Sequence, residues 1–300
     1  MADHGRAQLR ARVLADLAPL AGLAQAPVDS RLYNFQLEEL PGALVYALRE
    51  ESRLAAVDGR LERDLDLVLE LHLAALDATL DDRLDAILLE AEQLLAADFG
   101  LAGLALRCWP ARLEIGLSAA GEQPLGLARQ TYRIVYRTDA AGEVITRPAV
   151  AEVVPAQATA VRTLIRARAL ATLAAAGLPN APTQSRVQRY DLADLPAVAL
   201  YTLEEAAAMV RADGRLDRVL TLAVEVQAAG AAGRDAAVDA LCLTIEQALA
   251  ADFRLGGLAH RTVLRRSEFG ADAGGEVPLG GAQLAFDVAY LTELGGALVS

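Results

Sequence analysis

The same sequence pattern occurs twice in this chain, about half a chain apart. Leu40-Pro41 and the apolar run to Tyr46 return as Leu195-Pro196 and the run to Tyr201, and Asp58-Gly59-Arg60-Leu61 returns as Asp213-Gly214-Arg215-Leu216, both displaced by 155 residues. Ala96-Ala97-Asp98-Phe99 matches Ala250-Ala251-Asp252-Phe253, and Pro124-Leu125-Gly126 matches Pro278-Leu279-Gly280, both displaced by 154. Ordered matches at a nearly constant offset, with one slip of a single residue, are hard to obtain by chance. The period is domain-sized, far longer than the units of solenoids or propellers. The chain therefore reads as a tandem duplication: one copy in 1–138, a linker in 139–160, a second copy in 161–293 and a C-terminal tail in 294–300.

Composition narrows the chemistry. Three hundred residues suffice for two domains that each bury a core. Charge is acidic in both halves, −8 over 1–150 and −4 over 151–300. With no basic run to neutralise phosphates, specific nucleic-acid binding is not expected. All 28 basic residues are arginine. Without lysine there is no Walker-type phosphate loop and no Schiff base. No apolar run is long enough to span a bilayer, and Met1–Leu9 lacks the apolar centre of a signal peptide, so neither a membrane partner nor export by that route is expected. Cys108 aligns with Thr262 and Cys242 with Leu88, so no disulfide repeats between the copies and a reducing compartment is expected.

Each copy reads as helix, strands, helix, strands. Leu9, Val13, Leu14 and Leu17 fall at helical spacing, as do Ile165, Ala169, Leu170 and Leu173. Short strands are expected at Pro41–Leu48 and Pro196–Leu203, each beginning at a proline, where a missing ladder donor is tolerated. The clearest strand is Leu61–Leu73, in which leucines alternate with Glu62, Asp64, Asp66, Glu70 and His72; the run from Leu216 repeats it. Second helices are expected near Asp81–Ala97 and Asp235–Ala251, their acidic starts suiting exposed N–H groups. Closing strands carry Tyr132, Ile134 and Tyr136, or Phe286, Val288 and Tyr290, and Gly-rich loops precede them. The fold class is α+β, with helices covering one face of a mostly antiparallel sheet in each copy. The linker reads as an extended tether with at most one strand, at Val144–Thr146.

Catalytic patterns are scarce, and no catalytic residue, cofactor or metal is assigned. Gly116–Gly121 has one residue too many for a nucleophile elbow. His4, His72 and His260 share no metal-ligand spacing, and His72 falls on the polar face of its strand, where solvation is expected. Asp81, Asp82 and Asp85 suit a divalent ion together with Glu122, but helix capping explains them more simply. Glu50-Glu51 and Glu204-Glu205 recur without a partner His or Tyr beside them, so an exposed acidic contact loop is preferred to an acid–base pair. The candidate protein-contact residues lie in the acidic segments Glu50–Arg60 and Glu204–Arg215, comprising Glu50, Glu51, Arg53, Asp58, Arg60, Glu204, Glu205, Arg211, Asp213 and Arg215, and in the Gly-rich loops Gly116–Gly126 and Gly270–Gly281, with Glu122 and Glu276.

Each half resembles a tail terminator of long-tailed phages, the lambda-type minor tail protein U group. The resemblance rests on Glu39-Leu40-Pro41-Gly42-Ala43-Leu44-Val45-Tyr46 and Asp194-Leu195-Pro196-Ala197-Val198-Ala199-Leu200-Tyr201, on the acidic segment that follows, on the alternating strand from Leu61 or Leu216, and on the aromatic strand ending at Tyr136 or Tyr290. It implies a virion protein, assembled in the host cytoplasm and located at the head-proximal end of the tail. Such proteins form six-membered rings that cap the tail tube and present a docking face to the head. Two copies in one chain would make that ring a trimer with pseudo-sixfold symmetry. Its implied partners are itself, the tail tube protein and a neck or head-completion protein, with genomic DNA passing through unbound. The alternatives are a neck or head–tail connector component, or a cellular duplicated α+β binding module or enzyme with a deep polar pocket.

Overall fold

The computed structural model describes residues 5–30, 32–56, 60–74, 79–118, 125–139, 143–147, 159–184, 190–210, 214–229, 234–272 and 279–299. Among the described residues four α-helices and eight strands follow one another as α1 (Gly5–Leu17), β1 (Gly42–Leu54), β2 (Leu61–Ala74), α2 (Leu80–Ala96), β3 (Arg107–Ser118), β4 (Leu125–Thr138), α3 (Val161–Ala174), β5 (Ala197–Met209), β6 (Leu216–Ala229), α4 (Arg234–Ala251), β7 (Arg261–Asp272) and β8 (Leu279–Thr292). The strands form a single sheet in the order β1-β2-β4-β3-β5-β6-β8-β7, and every neighbouring pair is antiparallel. Among the described residues no helix is long and apolar enough to cross a membrane.

Periodicity explains the layering. Leu65, Leu67, Leu69, Leu71 and Leu73 project to one face of β2, where Leu9, Val13 and Leu17 of α1 and Leu84, Leu88, Ala91 and Leu95 of α2 meet them in one buried core. A second core joins Ile165, Ala169 and Leu173 of α3 and Val238, Ile245 and Leu249 of α4 to Leu220, Leu222, Val224 and Val226 of β6. On the other face of the sheet Glu62, Asp66 and Glu70 stand directly opposite Arg137, Arg133 and Arg129. These pairs close at 3.0, 3.1 and 2.6 Å. Such cross-strand pairs are the sheet's counterpart of helical i,i+4 pairs.

The strand registers repeat with the sequence offsets. The β1–β2 ladder shifts between Ala47 and Arg49 and the β5–β6 ladder between Thr202 and Glu204; the β3–β4 ladder shifts between Pro110 and Arg112 and the β7–β8 ladder between Leu264 and Arg266. Residues 143–147 do not run on as a tether. Val144 bridges to Thr138 and packs on the first core, Ile145 donates to the Arg137 carbonyl and Arg147 to that of Gly103. Gly103 has a φ of +83°, and a Cβ there would collide with the Arg147 carbonyl. The C-terminal segment behaves alike: Leu298 bridges to Thr292 and packs on the second core. Residues 148–158 of the expected linker lie outside the described residues.

One expectation is corrected. The segments read as acidic loops after Leu48 and Leu203 are strand, because β1 and β5 extend to Leu54 and Met209 in register with β2 and β6. Glu50, Glu51 and Arg53 therefore belong to β1, and Glu204 and Glu205 to β5. Charged residues run along these strands because cross-strand partners accept them: Arg53 pairs with Glu62, and Arg63 with Glu50. In the expected Gly-rich loops, Gly116, Gly126, Gly270 and Gly281 are likewise strand residues.

Replacing Leu71, which is fully buried, with alanine should cost about 3 kcal/mol of unfolding free energy, whereas Leu192→Ala, at an exposed site, should stay within about 0.5 kcal/mol. Denaturant titration of the two variants measures both values.

Candidate protein-contact site

The two halves of the sheet meet where β3 lies against β5, with Arg112, Leu113 and Glu114 opposite Ala206, Glu205 and Glu204. The junction is head-to-tail, since the third strand of the first half adds to the first strand of the second. Arg112 Nη2 lies 3.7 Å from Glu204 across it. Trp109, Val135 and Ala96 from the first half and Leu216 and Leu294 from the second form a small shared apolar cluster, with Phe99 and Met209 packed on it.

Behind these strands an ion cluster is sealed from water. Arg162 at the start of α3 pairs with Asp85 of α2 and lies 3.3 Å from Glu92 and 3.6 Å from Glu205. Arg166, one turn on, lies 2.9 Å from Asp85 and also reaches Asp82. Arg218 of β6 holds Glu92 at 2.7 Å, pairs with Glu205, and donates through Nε to Thr292 at 2.8 Å. Arg162, Arg166, Arg218, Asp85, Glu92 and Glu205 are all buried.

Electrostatics follows from this arrangement. Burial opposes ionisation of Glu92, but Arg218 and Arg162 overcome it and hold its carboxyl below the usual range. Asp85 is lowered in the same way, burial being outweighed by Arg162 and Arg166. Burial alone would lower the arginines, yet Asp85 and Glu92 push Arg162 up, and Glu92 and Glu205 push Arg218 up. Near neutrality Asp85 and Glu92 are therefore carboxylates, facing the cationic Arg162 and Arg218. This arrangement ties α2 to α3 and β6 through charge pairs.

Glu70, His72 and the two cysteines are also set by their surroundings. Burial opposes the charge on Glu70, but hydrogen bonds from His72, Arg129 and Tyr46 prevail and bring its pKa down to about 2. His72 is thus not a solvated histidine: it is half-buried, lies 2.8 Å from Glu70, and its ring sits tilted against that of Phe35. Cys108 is buried and its thiol is pushed up to about 12 by desolvation. Cys242 is also buried and is raised to about 11. Neither is a thiolate near pH 7. A solvent-open hollow of about 520 Å³ lies over β6, β7 and β8, lined by Glu225, Gln227, Glu268, Phe269 and Gln283 among others. Gln227 already donates to Glu225 at 2.7 Å, and Gln283 to the Tyr201 hydroxyl at 2.9 Å. Among the described residues no group of three or more His, Cys, Asp or Glu could hold a metal ion.

The contact residues expected from sequence separate. Glu205 is buried in the junction and Glu204 flanks it, pairing with Arg265 at 3.0 Å. Glu50 pairs with Arg63 at 2.6 Å and accepts from the Tyr136 hydroxyl at 2.8 Å. Glu51 and Arg53 are exposed on the free β1 edge, Arg60 precedes β2, and Arg215 lies 3.5 Å from Glu293. Asp58, Glu122, Arg211, Asp213 and Glu276 lie outside the described residues. Asp81 and Asp82 lie in the first turn of α2 as expected, and Asp82 and Asp85 also bond across the junction to Arg166. Sequence reading missed Arg162, Arg166, Arg218 and Glu92. The available signal was a charge inside an apolar stripe: Glu92 sits among Leu88, Ala91 and Leu95, and Arg166 beside Ile165 and Ala169. No protein-family model matches this chain, and no curated protein matches it.

Removing one partner of a buried ion pair strands the other. Glu92→Ala should therefore cost about 3–5 kcal/mol, against less than about 1 kcal/mol for Glu51→Ala. Denaturant titration compares the two. Because the folded-state pKa of Glu70 is depressed, its stabilisation is fully present above the ordinary value of 4.5 and fades as pH falls towards about 2. Glu70→Gln should flatten the loss of stability over that window, which unfolding midpoints measured at stepped pH will reveal.

Proposed function

We propose that this chain is a tandem duplication of one α+β domain and that it is a structural virion protein of the tail-terminator kind. In this reading three chains close into a pseudo-hexameric ring that caps the tail tube, stops its growth and presents a docking face to a neck or head-completion protein. The observation that carries the reading is the head-to-tail junction: β3 of the first half pairs with β5 of the second, leaving β1 and β7 as the outermost strands of one sheet. A head-to-tail contact is not self-complementary. It repeats from unit to unit and closes into a ring when the rotation between units permits. Repeating element order and ladder irregularities support the duplication. Joining two units in one chain makes alternate contacts intramolecular, at an effective concentration of order millimolar for a short flexible connection.

Genomic DNA would pass through the ring without specific contact. On the uncovered face of the first half Glu62, Asp66 and Glu70 are each paired with an arginine, so repulsion of phosphates would come from the net charge of −12 rather than from that face. Eliminating the protein from the virus that encodes it should yield abnormally long tails without attached heads, visible by electron microscopy. Tails of normal length would exclude termination, and normal-length tails lacking heads would point to a neck component instead.

A further inference from the structure

The junction between the halves is built from two surfaces, and each has a counterpart at a free end of the chain. The α2/β3 surface supplies Asp85 and Glu92 from the helix, Arg112 and Glu114 from the strand, and Trp109 from the apolar cluster. At the sequence offset of 154 the α4/β7 surface carries Asp239, Glu246, Arg266, Glu268 and Val263. The facing surface of α3, β5 and β6 supplies Arg162, Arg166, Glu205 and Arg218. Its counterparts on α1, β1 and β2 are Arg6, Arg10, Glu50 and Arg63.

Geometry confirms that the second surface is already assembled at the free end. Arg63 bonds Glu50 at 2.6 Å and donates to Thr138 at 3.1 Å, as Arg218 does to Glu205 and Thr292. Arg6 lies 3.6 Å from Glu50, the same separation as Arg162 from Glu205. The helix that would supply the place of Glu92 is α4, where Asp239 is exposed and Glu246 half-exposed, with no ion pair to either among the described residues. Arg10 differs, since it binds Asp29 at 2.7 Å where Arg166 binds Asp82, whose counterpart is Ala236.

Apolar exposure follows the same map. Leu89 is 6 % exposed, packed at Gly296, and its counterpart Leu243 is 56 % exposed; Trp109 is 9 % exposed and its counterpart Val263 is 51 % exposed. On the facing edge Leu54 is exposed where its counterpart Met209 packs into the shared cluster.

We infer that the α4/β7 end of one chain binds the α1/β1 end of a second copy, β7 adding antiparallel to β1 as β3 adds to β5. Transferring the β3–β5 register sets Arg266 opposite Glu51, Ser267 opposite Glu50 and Glu268 opposite Arg49. Both charged pairs are complementary. In the separate chain each edge satisfies its own charges, Arg49 with Glu51 and Arg266 with Glu268, and all four side chains are exposed. Glu246 then reaches Arg6 and Arg63, and Leu243 and Val263 leave water. Edge pairing of this kind gives affinity through main-chain hydrogen bonds and register through side chains.

This interface rests on the ring reading, and sedimentation of the full chain across a concentration series separates the two. Wild-type protein should associate into a trimer. The edge swap R266E/E268R, at exposed positions, should weaken association at least about tenfold, because like charges then stand opposite each other. Adding R49E/E51R in the same chain should restore it, and Glu246→Arg should weaken it without a change in circular dichroism. A wild type that trimerises with neither swap having an effect would overturn this interface and leave the ring standing. A wild type that stays monomeric at every concentration would overturn both.

Discussion

Three arginines and three carboxylates leave water together where α2 meets α3, β5 and β6. Isolated, any one of these charges would be costly to bury. As a set, Arg162, Arg166 and Arg218 balance Asp85, Glu92 and Glu205, and Thr163 and Thr292 take up further bonding capacity. The cluster is demanding in geometry, because displacing either half strands charges in the other. It therefore fixes how the two halves sit, which a β3–β5 ladder with three paired positions would do less firmly. The apolar cluster around Trp109 packs at the same junction.

A junction of this kind has a consequence for the ends of the molecule. It joins unlike surfaces, so under the proposed duplication each half would carry one of each, leaving one of each at the ends of the chain. The candidates for these are Asp239 and Glu246 on α4, Arg6, Arg10 and Arg63 on α1 and β2, and the edges of β7 and of β1 beyond the Val28 bridge at Leu44. Natural sheets blunt their edges with charge, and β1 and β7 do carry it. In the proposed contact Arg266 and Glu268 would face Glu51 and Arg49 of a second copy, which would favour one register over the others.

Much of the fold was legible in the sequence because its causes are local. The alternation from Leu61 to Leu73 placed β2 within a residue of its observed end, and the helical stripes located all four helices. The lengths of β1 and β5 were not legible, since charged residues such as Glu50 and Arg53 look like loop until their cross-strand partners Arg63 and Glu62 are known. The site was mostly hidden for the same reason. Asp85 reads as a helix-start residue until α3 is seen to bring Arg162 and Arg166 against it, a contact between residues 77 and more positions apart. His72 shows the same limit at smaller scale, its partner Glu70 lying two residues away on the same strand face and Phe35 closing over it from a distant segment.

The central claim is that the junction inside the chain is repeated between chains until the sheet closes. Electron-microscopic imaging of the purified protein tests it most directly. A ring seen end-on with six lobes, alternating in a threefold pattern, around an open centre is the expected result. Particles with a single twofold axis, or a population of isolated two-lobed chains at high concentration, would contradict it.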